Sequence, residues 1–215
     1  MDMIHPSKAK IGKELAIYLL GIFLVPAGIV LCKKSELGIS PISCVLYVIE
    51  TFTPLSFGTL TMLFHLANTF AQIILTKQIL SRKLLLQIPL AMVFGQTIDL
   101  LQRSFSLDTF PLWLRCIALL ASVAITAAGM VCMLTVGWVA NPPDGAVKEI
   151  GIKAGIPFGT AKVMYDSGVV ILSIILGLLF CGKILGVGIG TVVSALLTGR
   201  CTAAIMKARK REIKN

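Results

Sequence analysis

Charge is scarce in this chain: Asp, Glu, Lys and Arg make up 14% of its 215 residues, and acidic side chains are the rarer kind, 10 against 20 basic ones. So little charge excludes an ordinary soluble domain, in which about a quarter of residues are charged. Disorder, which needs low hydrophobicity, is excluded as well. There are only two histidines, and the six cysteines include no CxxC pair and no His at ligand spacing. Neither a structural zinc site nor any other metal site is therefore expected, and the cysteines read as packing thiols. The chain has no Ser–His–Asp set and no GxSxG elbow. Gly182, Gly186, Gly188 and Gly190 follow no strand and precede no Lys-Ser or Lys-Thr, so they read as close helix packing rather than a nucleotide loop. No enzymatic activity and no cofactor are expected. The basic excess comes without a soluble basic face or base-stacking aromatics, which argues against nucleic acid as a partner.

Apolar side chains are what the chain has in abundance: 56% of residues, with a mean hydropathy of +0.91. The expected fold class is all-α, a polytopic membrane protein with the lipid bilayer as its first partner. About 20 apolar residues are needed to cross a hydrocarbon core, and lipid leaves an open backbone no alternative to the helix. Six stretches qualify, at 14–32, 58–76, 84–102, 111–134, 159–181 and 184–205. The apolar stretch near the amino terminus exceeds a signal-peptide core, and it is expected to be retained. Residues 41–53 and 142–154 are too short to span. With six crossings, Lys8, Lys10, Lys13, Lys77, Arg82, Lys83, Lys148, Lys153 and the tail Lys207 to Lys214 share one side. Only Lys33, Lys34, Arg103 and Lys183 then lie opposite, while Arg115, Lys162 and Arg200 sit near span ends and snorkel. The positive-inside rule makes the richer side cytoplasmic, with both termini there, in a bacterial inner membrane.

The chain also repeats itself. A shift of 101 residues aligns Pro41 with Pro142 and Phe57-Gly58-Thr59 with Phe158-Gly159-Thr160, and one deletion later Lys83 and Leu85 meet Lys183 and Leu185. The organisation follows: a cytoplasmic segment 1–13, a first three-span repeat 14–102 with its short helix at 41–53, a second repeat 111–205 with its short helix at 142–154, and a basic tail 206–215. Three crossings per half force the second half to be inverted, a plan that recurs in secondary transporters. Both short segments begin with a cap and a proline, Ser40-Pro41 and Asn141-Pro142, and so should start helices there. They read as re-entrant or broken helices whose capped ends suit an anion or carboxylate. The alternative is a pair of amphipathic helices lying at the interface with Glu50, Lys148, Glu149 and Lys153 in water.

Ionisable groups at depth are the remaining signal. His65 and Asp166 occupy equivalent repeat positions, each seven residues, about 10 Å, past the glycine that opens its span. An acid at that depth marks a functional site unless it is merely neutralised, and Lys162 lies one turn before Asp166. Asn68 shares a face with His65, and Asp144 stands in the first turn of the second short helix. The candidate substrate-binding residues are thus Ser40, Pro41, His65, Asn68, Asn141, Pro142, Asp144, Lys162 and Asp166. Asp99, near the end of its span beside Gln96 and Gln102, reads as interfacial.

The LGISP turn at Leu37 to Pro41, the FGT start of the second span, the NPPDG stretch at Asn141 to Gly145 and the basic tail resemble the YczE/YitT group of bacterial integral membrane proteins, over about residues 14 to 205. The resemblance is closest to the YczE-like branch, which lacks a soluble carboxy-terminal domain. It implies location and fold and carries over no substrate or catalytic residue. The expected function is a small secondary transporter or exporter of a polar or anionic small molecule, proton-coupled through His65 or Asp166, with a homodimer as a plausible assembly. A non-transporting scaffold or regulator recruiting a partner through Lys207 to Lys214 is the alternative.

Overall fold

The computed structural model describes residues 8–78, 81–104 and 111–212. The first seven residues of the expected amino-terminal segment, and Lys214 in the tail, lie outside the described residues. Eight helices follow one another: α1 Lys8–Lys34, α2 Pro41–Phe52, α3 Phe57–Thr76, α4 Arg82–Ser104, α5 Leu112–Val136, α6 Pro142–Ala154, α7 Phe158–Cys181 and α8 Ile189–Glu212. Among the described residues there is no strand, and six helices are long and apolar enough to cross a membrane. The short helices α2 and α6 are the other two. The chain is a multi-pass, all-helical membrane protein.

Local chemistry sets the helix ends. Pro41 and Pro142 occupy the first turns of α2 and α6, where a missing N–H costs nothing. α5, α6 and α7 each end on a glycine in the left-handed conformation, at Gly137, Gly155 and Gly182. One expected boundary is corrected. The last span, read as 184–205, begins only at Ile189, because Gly182 and Gly186 adopt positive φ and the stretch between them forms an irregular turn.

The two sequence halves pack reciprocally. α1 lies along α5; α2 packs on α7 as α6 packs on α3; α1 meets α4 as α5 meets α8; and α2 touches α3 as α6 touches α7. The correspondence breaks most at one pair. α3 and α4 are tightly joined, whereas α7 and α8 share almost no packing among the described residues. The first pair is close because Gly58 and Gly95 face each other: a Cβ on Gly58 would lie 2.1 Å from the Gly95 carbonyl. Gly159, the repeat partner of Gly58, has nothing within 4 Å. Large apolar side chains on α7, among them Val163, Met164, Leu179 and Phe180, are correspondingly exposed.

The short helices do not rest on one face. Buried positions run consecutively, 43–46 in α2 and 145–147 in α6, so the amino-terminal part of each is enclosed by protein on all sides. Glu50, expected in water under the interfacial reading, instead pairs with Lys33 of α1 at 2.5 Å. Lys33 also donates to Gln102 and lies 4.2 Å from the centre of the Phe57 ring, which ties α1, α2, α3 and α4 together.

Candidate functional site

The enclosed end of α6 is where most of the candidate residues converge. Asn141 caps the helix, and its side-chain amide donates to Asp144 Oδ2 at 3.3 Å, while its Oδ1 is buried without a partner. Asp144 faces α7. Lys162 Nζ lies 3.2 Å from Asp144 Oδ1 and 3.1 Å from Asp166 Oδ1, one ammonium between two carboxylates from different helices. All three side chains are four-fifths to three-quarters covered. Asp166 Oδ1, though close to the ammonium, lies off hydrogen-bond geometry. The i,i+4 neutralising pair expected from sequence therefore exists but is part of a larger arrangement with a net charge of one negative.

α3 supplies the opposite wall. The Tyr165 hydroxyl on α7 donates to Asn68 Oδ1 at 2.7 Å, and Asn68 returns its amide to the Phe64 carbonyl of its own helix. Gln72, one turn further, donates to the Pro142 carbonyl at 3.0 Å and exchanges amide hydrogen bonds with Gln87 of α4. Gln87 also donates to the Ala140 carbonyl and accepts from Thr69. This network satisfies the Ala140 carbonyl just before α6, which would be costly to leave unpaired away from water, and ties down the Pro142 carbonyl at the helix start. It fixes the capped end level with Gln72, about 6 Å in from the end of α3 at a rise of 1.5 Å per residue. His65 lies on the same helix, 4% exposed, its ring tilted against Phe94 with centroids 5.3 Å apart and Nδ1 unpartnered.

Ser40 and Pro41 are held elsewhere. Ser40 Oγ donates to Ser43 Oγ at 2.9 Å, and the start of α2 leans on the glycine-rich turn before α8. There Ile39 N–H donates to the Gly186 carbonyl at 2.9 Å and Gly190 N–H to the Leu37 carbonyl at 2.8 Å. The Cys44 thiol donates to the Gly186 carbonyl, and Cys32 approaches Ser194. Cys32 and Cys44 are buried, as packing thiols should be, but Cys116 is exposed and the other three are intermediate.

The sequence reading missed several contributors. Tyr165, Gln72 and Gln87 were legible only as polar residues within apolar stretches, each of which needs a partner at depth. Asp99, read as interfacial, accepts from Ser56 Oγ at 2.5 Å and from the Gly58 N–H at 2.8 Å and so caps α3 across the α3–α4 contact. Arg115, expected to snorkel, pairs with Glu36 and donates to the Ser35 carbonyl.

A family model matches residues 12–207, nearly the whole described bundle and all of the charged cluster. The chain belongs to the family of unknown function DUF6198. The match includes both short helices and each of the candidate residues. No curated protein and no solved structure matches the chain.

Proposed function

We propose that this family member is a small secondary transporter built from two inverted halves, with both termini cytoplasmic and α2 and α6 as re-entrant helices entering from opposite faces. The observation that carries the reading is the cluster at the α6 end: a helix terminus enclosed by protein, two carboxylates and a lysine from two helices, and buried polar atoms without partners. Discontinuous helices meeting ionisable groups away from bulk water are where secondary transporters hold solutes and coupling ions. The reciprocal packing of the halves supports the same plan.

The charge of the cluster narrows the role of this end. With Asp144 in the first turn of α6 and Asp166 beside it, the positive end of the helix dipole is already neutralised. The α6 end suits a proton or a cation as coupling species, and the α2 end, with no acid in its first turn, is the one left for an anionic or neutral polar group.

The test has two arms. In a cysteine-free background, Pro54→Cys and Lys153→Cys, at the exposed ends of α2 and α6, are labelled with an impermeant reagent from each side; inversion requires opposite faces. In proteoliposomes with an imposed pH gradient, a panel of organic cations, anions and zwitterions is screened for a solute that dissipates the gradient. Such a solute should act on the parent and not on Asp166→Asn that folds normally. Same-face labelling, or no active solute in a correctly inserted protein, overturns the proposal.

A further inference from the structure

A cavity of about 340 Å³ lies between α1 and α4, far from the charged cluster in chemistry: it is lined by Leu19 and Ile22 on α1, Leu86, Pro89 and Val93 on α4, and Trp138. Its wall is almost wholly apolar. The hydroxyl of Tyr18, a further lining residue, is occupied by the Val139 carbonyl at 3.1 Å. Leu19, Leu86 and Val93 remain about half exposed, so the cavity opens sideways between two spans, towards lipid.

The internal sequence correspondence relates the hollow to its counterpart region in the second half. Leu86, Ile88 and Leu90 stand where the second half has Gly186, Gly188 and Gly190, and Trp138-Val139 where the first half has Leu37-Gly38. In the second half the glycines let two backbones close on each other: a Cβ on Gly188 would lie 2.5 Å from the Leu37 carbonyl, and one on Gly190 2.7 Å from that of Gly38. In the first half the corresponding residues are side chains on a helix, with Leu90 packed in one cluster with Val139 of the turn that follows α5.

The end of this groove is basic. Arg82 is one turn before Leu86, at the spacing that puts it on the same face as Leu86, Pro89 and Val93, and Lys83 is exposed beside it. On α1, exposed Lys13 precedes Leu15 by two residues, with Glu14 the acidic group between them. We propose that the α1–α4 groove is a binding site for an anionic phospholipid, one acyl chain lying in the hollow and the headgroup held by Arg82 and Lys83. Apolar burial supplies the affinity for the chain, and the two cations supply the preference for a negative headgroup.

The chain has two tryptophans, Trp113 and Trp138, so a Trp113→Phe variant makes Trp138 a reporter inside the groove. The experiment reconstitutes this variant into vesicles containing a low mole fraction of either phosphatidylglycerol or phosphatidylcholine with identical dibrominated acyl chains, and reads Trp138 fluorescence. Quenching at equal mole fraction should favour phosphatidylglycerol, by about fivefold in relative affinity for each basic residue engaged. Adding Arg82→Ser and Lys83→Ser should make the two lipids equal. Filling the groove with Val93→Phe, or with Leu19→Phe should the first variant fold poorly, should weaken quenching by both. Equal quenching in the Trp113→Phe parent, an absence of quenching by either lipid, or quenching unaffected by a well-folded groove-filling variant overturns the proposal.

Discussion

Lys162 is the residue on which the charged cluster turns. It balances two carboxylates that lie on separate helices, so the three side chains are not equivalent. Lys162→Met leaves Asp144 and Asp166 facing each other with no counter-charge and should lower stability by about 3 kcal/mol, measured as loss of thermal stability in detergent. Asp144→Asn leaves a balanced Lys162–Asp166 pair with no stranded charge and should cost clearly less. The order is the informative part: equal losses would mean that Asp144, rather than Asp166, is the partner the lysine depends on. Asp99 is a second case. Asp99→Ala removes the acceptor for both Ser56 Oγ and the Gly58 N–H, and the same assay should show a loss of about 1–2 kcal/mol. Sequence spacing alone exposes the Lys162–Asp166 relation, since both lie on one helix a turn apart. Asp144 joins them from another helix, and Asp99 reaches the start of α3 from 41 positions away, so neither partnership has a local signature.

Among the elements, α3 and α7 share the sequence FGT yet differ in what the glycine does. Gly58→Ala drives a Cβ into the Gly95 carbonyl of α4, a backbone atom that no side-chain rotation can move aside. Gly159→Ala meets open space. The first substitution should cost several kcal/mol, in the range of other overpacked contacts, and the second should be neutral or slightly stabilising, since alanine is the better helix former. Parallel thermal melts of the two variants check this. The spans themselves were legible to within a few residues because lipid imposes their length and composition. So were the starts of α2 and α6, where a cap and a proline act within one turn. The start of α8 was not, because the apolar stretch continues through Leu185 and Val187 while Gly182 and Gly186 keep it out of the helix.

At the scale of the molecule, the internal sequence correspondence is readable from Pro41, Pro142 and the two FGT triplets, and corresponding helices take matching places in the packing. What it conceals is the difference between the halves, which depends on whether two helices touch. α3 and α4 are joined through Gly58, Gly95 and Asp99, whereas α7 and α8 share little contact among the described residues. Amide hydrogen exchange in lipid nanodiscs should accordingly show α7 and the start of α8 opening faster than α3 and α4, because local opening is easiest where few packed contacts resist it. Comparable protection in the two pairs would contradict that expectation. Halves with a common plan and unequal stiffness do not deform equally under the same load. The clasped pair would serve as the frame and the looser one, which carries Lys162 and Asp166, as the part that yields, with Asp144 and the α3 wall standing opposite.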